Sequence, residues 1–260
     1  LHDALPICFN HMTQISPAQR KFLQKIRHEK YLITLSRILL FLGFLILWEV
    51  SARKGWIDSF IFSSPFEIWT TFFSMIKDQS LLSHIGVTVM ETLVSFAFVV
   101  ILGIGTAVFL WACPKLSLVL EPYLVTLNSL PKSALAPLLI VWLGANVKTI
   151  IVAGMSVAIF GSVINLYTGF READPEKLKL IRTLGGTKKD ELTKIVLPSS
   201  VPLILSVMKV NIGLCLVGVI IGEFIGARRG LGYLIIYSSQ TFRLSTMLMS
   251  IIILCVIAMV

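Results

Sequence analysis

Residues 92–113 read TLVSFAFVVILGIGTAVFLWAC, 22 consecutive positions without an Asp, Glu, Lys or Arg. A helix that crosses the hydrocarbon core of a bilayer needs about 20 predominantly apolar residues, because lipid offers no partner to an open backbone. The segment therefore predicts a membrane-spanning helix. Residues 149–170, TIIVAGMSVAIFGSVINLYTGF, are a second uncharged run of the same length.

Four further apolar segments flank these two. Residues 31–50 carry only Arg37, near one end, and Glu49 near the other; an arginine in that place can snorkel to the headgroups. Residues 118–143 contain Pro122, Pro131, Pro137 and Lys132, which predicts a broken or kinked helix touching protein or water rather than lipid. Residues 199–221 carry Lys209, with Glu223 just beyond. The sixth run, 244–260, has 17 residues and reaches only about 25 Å of a roughly 30 Å core, so it is expected to be cut short. The predicted fold class is all-α: a polytopic membrane bundle of about six transmembrane helices.

Composition agrees. Of 260 residues, 56% are hydrophobic and 14% charged, against about 25% charged in soluble domains, and mean hydropathy is +0.87. An ordinary soluble domain is excluded. The net charge of +9 does not point to nucleic acid, since such binders keep their charge on a hydrated surface without long apolar runs. It reports topology instead. With the N-terminus inside, 13 Lys and Arg fall in inner segments and 7 in outer ones, and the positive-inside rule then places both termini in the cytoplasm.

The N-terminal segment, 1–30, is expected to be cytoplasmic. Its first 11 residues are expected to be non-native, because Met12 offers a start. The run at 31–50 is longer than a signal-peptide core and is read as an uncleaved span. Between the first two spans, Trp56, Pro65, Phe66 and Trp69 suit an amphipathic segment at the outer interface. Small pairs four residues apart, Gly103 with Ala107, Gly154 with Ala158 and Gly218 with Gly222, allow close helix packing in lipid.

Catalytic signatures are missing from the sequence. Cys8, Cys113, Cys215 and Cys255 are scattered, and His2, His11, His28 and His84 form no HExxH, so no metal site or disulfide framework is indicated. No GxxxxGK[ST] cradle occurs, and the chain is not expected to hydrolyse ATP itself.

The most informative connection is residues 171–198, READPEKLKLIRTLGGTKKDELTKIVLP. It is charged, and inner by the count above. Asp174-Pro175 starts a helix, Gly185-Gly186 ends it, and Thr187 caps a second through Thr187-x-x-Asp190. Two short helices around a glycine break are expected. The charges Arg182, Lys188, Lys189, Asp190 and Glu191 are expected at the rim of whatever docks there.

Gly185, nine residues, then Ile195-Val196-Leu197-Pro198 resembles the second half of the EAA signature of ABC importer permeases, E-A-A-x3-G-x9-I-x-L-P. The flanking Asn128-Ser129-Leu130-Pro131-Lys132-Ser133-Ala134, Pro137-Leu138, Trp142-Leu143-Gly144, Asn165-x3-Gly169, Arg182-Thr183-Leu184-Gly185, and Glu223 followed by Gly230-Leu231-Gly232-Tyr233 resemble the branch holding nitrate, taurine and aliphatic sulfonate permeases. The likeness covers roughly residues 60–260. It departs at Lys179-Leu180-Ile181, where the family has Glu-Ala-Ala.

The resemblance implies a type I importer permease: residues 31–260 as the permease domain, with 171–198 as its ATPase-coupling loop. The coupling residues implied are Arg182, Thr183, Leu184, Gly185, Gly186, Thr187, Ile195, Leu197 and Pro198. It also implies a second permease copy, two ATPase subunits that carry the ATP and Mg, an extracytoplasmic substrate-binding protein, and a bacterial inner membrane. No cofactor is expected on this chain. Candidates for the pathway are Asn128, Ser129, Lys132, Ser133, Asn165, Lys209, Asn211 and Glu223, since polar groups inside a membrane are costly. Lys132 and Lys209 would suit an anionic solute such as a sulfonate, taurine or nitrate. A thiamine-precursor pyrimidine or similar heteroaromatic, stacked on Trp142 or Tyr167, is the alternative substrate. An ion-coupled secondary transporter with Glu91 and Glu223 as relays is the alternative class.

Overall fold

The computed structural model describes residues 17–259. The expectations for residues 1–11, for a start at Met12 and for Cys8, His2 and His11 lie outside the described residues. Every regular element among those residues is helical. The chain divides into two units, a smaller one ending at Phe66 and a larger one from Glu67 onward.

The smaller unit holds α1 (Pro17–Arg53) and a single turn α2 (Ser59–Phe62), and Glu49 ties the end of α1 to the segment that follows α2. Its carboxylate accepts from Arg53 Nε at 2.6 Å and from the Phe66 amide at 3.1 Å. The portion of α1 long and apolar enough to span is His28–Arg53.

The boundary falls in the first turn of α3 (Pro65–Lys77), which is followed by α4 (Ser80–Ala112), α5 (Pro114–Ser129), α6 (Lys132–Leu143), α7 (Val147–Arg171), α8 (Pro175–Thr183), α9 (Lys188–Gly226), α10 (Leu231–Gln240) and α11 (Leu244–Met259). In α3 Ile68 is buried while Trp69 and Phe73 stay exposed, their rings edge-on at 4.9 Å. Among the described residues four helices are long and apolar enough to cross a membrane, and the bent pair of α5 and α6 meets the same measure when its two arms are taken together. At 16 residues α11 is shorter.

The centre of the larger unit is α7, lying between α4 and α9. Val99, Ala158 and Cys215, one from each of the three helices, meet fully buried. Of the small residues singled out in the sequence, Gly218 and Gly222 lie against the backbone of α7, whereas Gly103 faces the Ser162 side chain. A Cβ on Gly218 would stand 2.8 Å from the Ala153 carbonyl oxygen and from Gly154 Cα, and one on Gly154 would stand 2.8 Å from Val219 Cγ2. In lipid, where no hydrophobic force drives helices together, such contact supplies the dispersion attraction that holds them.

The break at 118–143 is real and sharp, with the axes of α5 and α6 at 96°. Of the three prolines only Pro131 breaks the helix. It forces Leu130 to an extended ψ of 137°, whereas Pro122 and Pro137 sit within helices.

Candidate functional site

The charged connection forms an elbow. Asp174 accepts from the Glu176 amide at 2.9 Å and caps α8, which carries Pro175 at its first position. α8 ends in a left-handed cap: Gly185 has φ +76°, its amide donates to the Arg182 carbonyl at 3.0 Å, and the Gly186 amide donates to the Ile181 carbonyl at 2.9 Å. These two bonds satisfy carbonyls the helix end leaves open, in the pattern that favours glycine. Thr187 and Asp190 then cap each other reciprocally.

The second short helix expected after this cap is instead the head of a long one. α9 starts at Lys188 and runs unbroken to Gly226, 39 residues or about 58 Å, nearly twice the hydrocarbon core. Its charged first turns, ahead of the apolar run at 199–221, therefore stand outside the membrane. Pro198 does not break it, because the π turn Leu192–Val196 relaxes the ladder just ahead, with the Leu197 amide reaching back to the Leu192 carbonyl. Leu197 packs on the inner core of Leu166, Tyr167 and Phe170, and Ile195 is half-buried.

Arg182 and Glu191 close the elbow. The guanidinium donates from Nε to Oε1 at 2.5 Å and from a terminal nitrogen to Oε2 at 3.2 Å, the forked geometry arginine makes with carboxylates. Glu191 is 3% exposed, so the expectation that it sits at the rim is corrected: it is the internal strut, and Arg182 covers it. Arg182 holds the Glu191 carboxyl below the usual carboxylate range, and Lys194 with Thr187 does the same for Asp190. Leu180 and Leu184, one helical turn apart, stay 58% and 74% exposed. The elbow is thus braced from inside and presents an apolar knob outward. Thr183 is exposed and bonds its own helix at Lys179.

The candidate pathway residues separate into two sets. Asn128, Ser129, Ser133, Asn165 and Lys209 are exposed. Lys132 donates from Nζ to the Leu127 and Asn128 carbonyls at 3.0 and 2.6 Å, filling acceptors freed where α5 breaks. Asn211 is buried and donates to Ser162 Oγ at 2.9 Å. Tyr167 is also buried, donating to Ser117 Oγ at 2.7 Å, with the Arg171 guanidinium 5.7 Å from its ring centroid. Trp142 is 70% exposed.

Glu223 anchors a polar knot at the far end of the bundle. Thr88 Oγ1 donates to Oε1 at 2.7 Å, the Gly232 amide donates to Oε2 at 2.5 Å, and the Leu231 amide donates to Thr88 Oγ1 at 2.8 Å. The start of α10 is thereby tied to both α4 and α9. Glu91, also fully buried, lies alongside, and no N–H or hydroxyl donor among the described residues reaches its oxygens. Sequence reasoning missed Thr88, and no local signal marks it: its partners are more than 100 positions away.

An all-α bundle with a bent helix pair, close-packed glycines and a braced elbow on a long charged connection is the build of a multi-pass membrane protein. The chain belongs to the family of binding-protein-dependent transport system inner membrane components, whose pattern matches residues 99–260. A probable ABC transporter permease protein of Haemophilus influenzae is 28% identical over 228 residues, covering 87% of this chain and 92% of its own. The formylaminopyrimidine transport permease ThiX of Halalkalibacterium halodurans is 26% identical over 195 residues, with 75% and 77% covered. A putative aliphatic sulfonates transport permease, SsuC of Bacillus subtilis, is 26% identical over 212 residues, with 81% and 76% covered. The protein is therefore an inner-membrane ABC permease subunit of an importer that works with an ATPase and a substrate-binding protein, rather than an ion-driven carrier.

Proposed function

We propose that the chain forms, with a second copy of itself, the passage for a small organic anion of the sulfonate kind, and that the elbow of α8 and α9 couples it to the ATPase. The observation that carries this reading is the Arg182–Glu191 brace beneath exposed Leu180 and Leu184. An apolar ridge on a helix held rigidly to the longest span is suited to a groove on a moving partner, and the brace lets displacement of α8 reach α9 instead of dissipating in a loop. Leu180 stands where the family pattern has a small residue, which favours a wider groove on the cognate ATPase.

Alternating access is then a matter of differential binding: ATP with Mg in the partner favours one arrangement, and the loaded binding protein stabilises the one that admits solute. Exposed Asn128, Ser129, Ser133, Asn165 and Lys209 remain the proposed lining. Asn211, Lys132 and Glu223 act by holding the helices that present it. The N-terminus lies inside, with the elbow. The SsuC relative supports a sulfonate. Exposed Trp142 and the ThiX relative favour a heteroaromatic as the second reading.

The test is reconstitution. Vesicles holding this chain, its ATPase and its binding protein should take up a sulfonate only with ATP, and Gly185→Asp should abolish uptake and ATPase co-purification while insertion persists. Uptake driven by an ion gradient with the chain alone would refute the reading.

A further inference from the structure

A cleft of about 560 Å³ opens between α3 and the α10–α11 turn, apart from the elbow, the polar knot and the proposed lining. Its walls are rich in hydroxyls: Thr70 and Ser74 on α3, Ser238 on α10, and Thr246 on α11. Ser238 decides how the cleft is read. It is 1% exposed, and its Oγ has no hydrogen-bond partner among the described residues. Buried hydroxyls are almost always paired, so an unpaired one in a cleft wall is a spare donor, which a ligand reaches once the wall gives way around it.

Two opposite charges face the same space. Asp78 follows α3 and Arg243 precedes α11, and both line the cleft. Both residues are exposed, neither side chain makes a hydrogen bond or ion pair among the described residues, and they do not pair with each other. An unneutralised cation and anion flanking one pocket of this size match a ligand that carries both signs.

We propose that this cleft binds a small zwitterion, its oxyanion held by Arg243 and the hydroxyls and its ammonium by Asp78. An amino-sulfonate solute and the ethanolamine-phosphate head of a lipid share that chemistry. The cleft sits at the opposite end of the bundle from the elbow. Ser80, which opens the 33-residue α4, lines it, while Ala112 at the other end of α4 lies beside Lys188. A solute here would be met on the side where the binding protein delivers it. That source rests on the importer reading; the charge match does not.

Isothermal titration of the full chain in phosphatidylglycerol nanodiscs, with 2-aminoethanesulfonate, ethanesulfonate and ethanolamine as probes, tests the free solute. The zwitterion should bind about tenfold or more tighter than either single-charge probe. Arg243→Gln and Asp78→Asn should each weaken it by about tenfold, Ser238→Ala by less, and Arg243→Lys should keep most of it. Native mass spectrometry after extraction from phosphatidylethanolamine membranes tests the lipid. Headgroup retention lost in the Arg243→Gln and Asp78→Asn variants, with no titrable solute, would identify lipid as the zwitterion. If neither arm shows binding that depends on both charges, the proposal is overturned. ATP-driven uptake measured in parallel separates the two claims: uptake with no such binding removes this site alone, and binding without uptake removes the sulfonate reading of the passage alone.

Discussion

Arg182 and Glu191, nine positions apart on either side of a double glycine, meet through two hydrogen bonds at 2.5 and 3.2 Å. The pair turns what would be a hinge into a bracket. A force applied to α8 is carried to α9, whose apolar run forms a wall of the bundle, through a side-chain contact as well as through the chain.

Removing the bracket should uncouple without unfolding. Glu191→Ala is expected to leave insertion and thermal stability close to wild type, because the guanidinium it frees is largely solvated. ATP-driven uptake should fall by roughly tenfold or more, since the elbow can then yield before α9 moves. Parallel melting curves and uptake rates check this; an equal loss of both would mean that the pair is merely structural.

At Gly185 the constraint is conformational rather than steric. A Cβ there would meet no atom within 4 Å, yet φ is +76°. Gly185→Ala should therefore cost about 1 kcal/mol and Gly185→Asn less, since Asn tolerates the left-handed region. Denaturant midpoints and ATPase pull-down should both rank Gly, Asn, Ala, Asp.

At Gly218 the reverse holds. Its Cβ would stand 2.8 Å from backbone atoms of α7, which have no rotamer to yield. Gly218→Ala should destabilise by about 1–3 kcal/mol through forced separation of α7 and α9, read as a lowered melting temperature in detergent, while Gly213→Ala, with nothing within 4 Å, should not.

Thr88 is the pivot of the knot at the far end, accepting from the Leu231 amide and donating to Glu223. Thr88→Ala should cost about 1–3 kcal/mol by stranding a buried amide, and Thr88→Ser should restore most of it. Hydrogen exchange at Leu231 should accelerate in the first variant and not in the second.

Lys132 distinguishes a solute contact from a helix terminator. If its ammonium serves the broken end of α5, Lys132→Met should lower stability by about 1–2 kcal/mol and leave the selectivity among anions unchanged. A change in selectivity with stability preserved would place it on the passage.

Much of this protein is legible along the chain. The uncharged runs at 92–113 and 149–170 are long because lipid cannot satisfy a backbone, so length and composition alone specify helices that cross. Asp174-Pro175, Gly185-Gly186 and Thr187-x-x-Asp190 act within one helical turn, so the caps of the elbow are set by neighbouring residues. Pro131 likewise acts on the residue before it. The π turn ahead of Pro198 has no such local signal, and beside it Val196 and Leu197 pack on a core that includes Leu166 and Phe170 of α7.

What only the tertiary structure decided is which polar groups face one another. That Glu191 lies beneath Arg182 depends on how two successive helices fold back across the double glycine, and that Glu223 is held by Thr88 and that Asp78 and Arg243 share a cleft without touching depend on helices distant in sequence arriving at set heights and rotations. Those heights are determined by contacts such as Gly154 against Gly218, where the absence of a side chain matters only once a second backbone is there to occupy the space. Spans arise from local solvation, and sites from the close packing of one span on another.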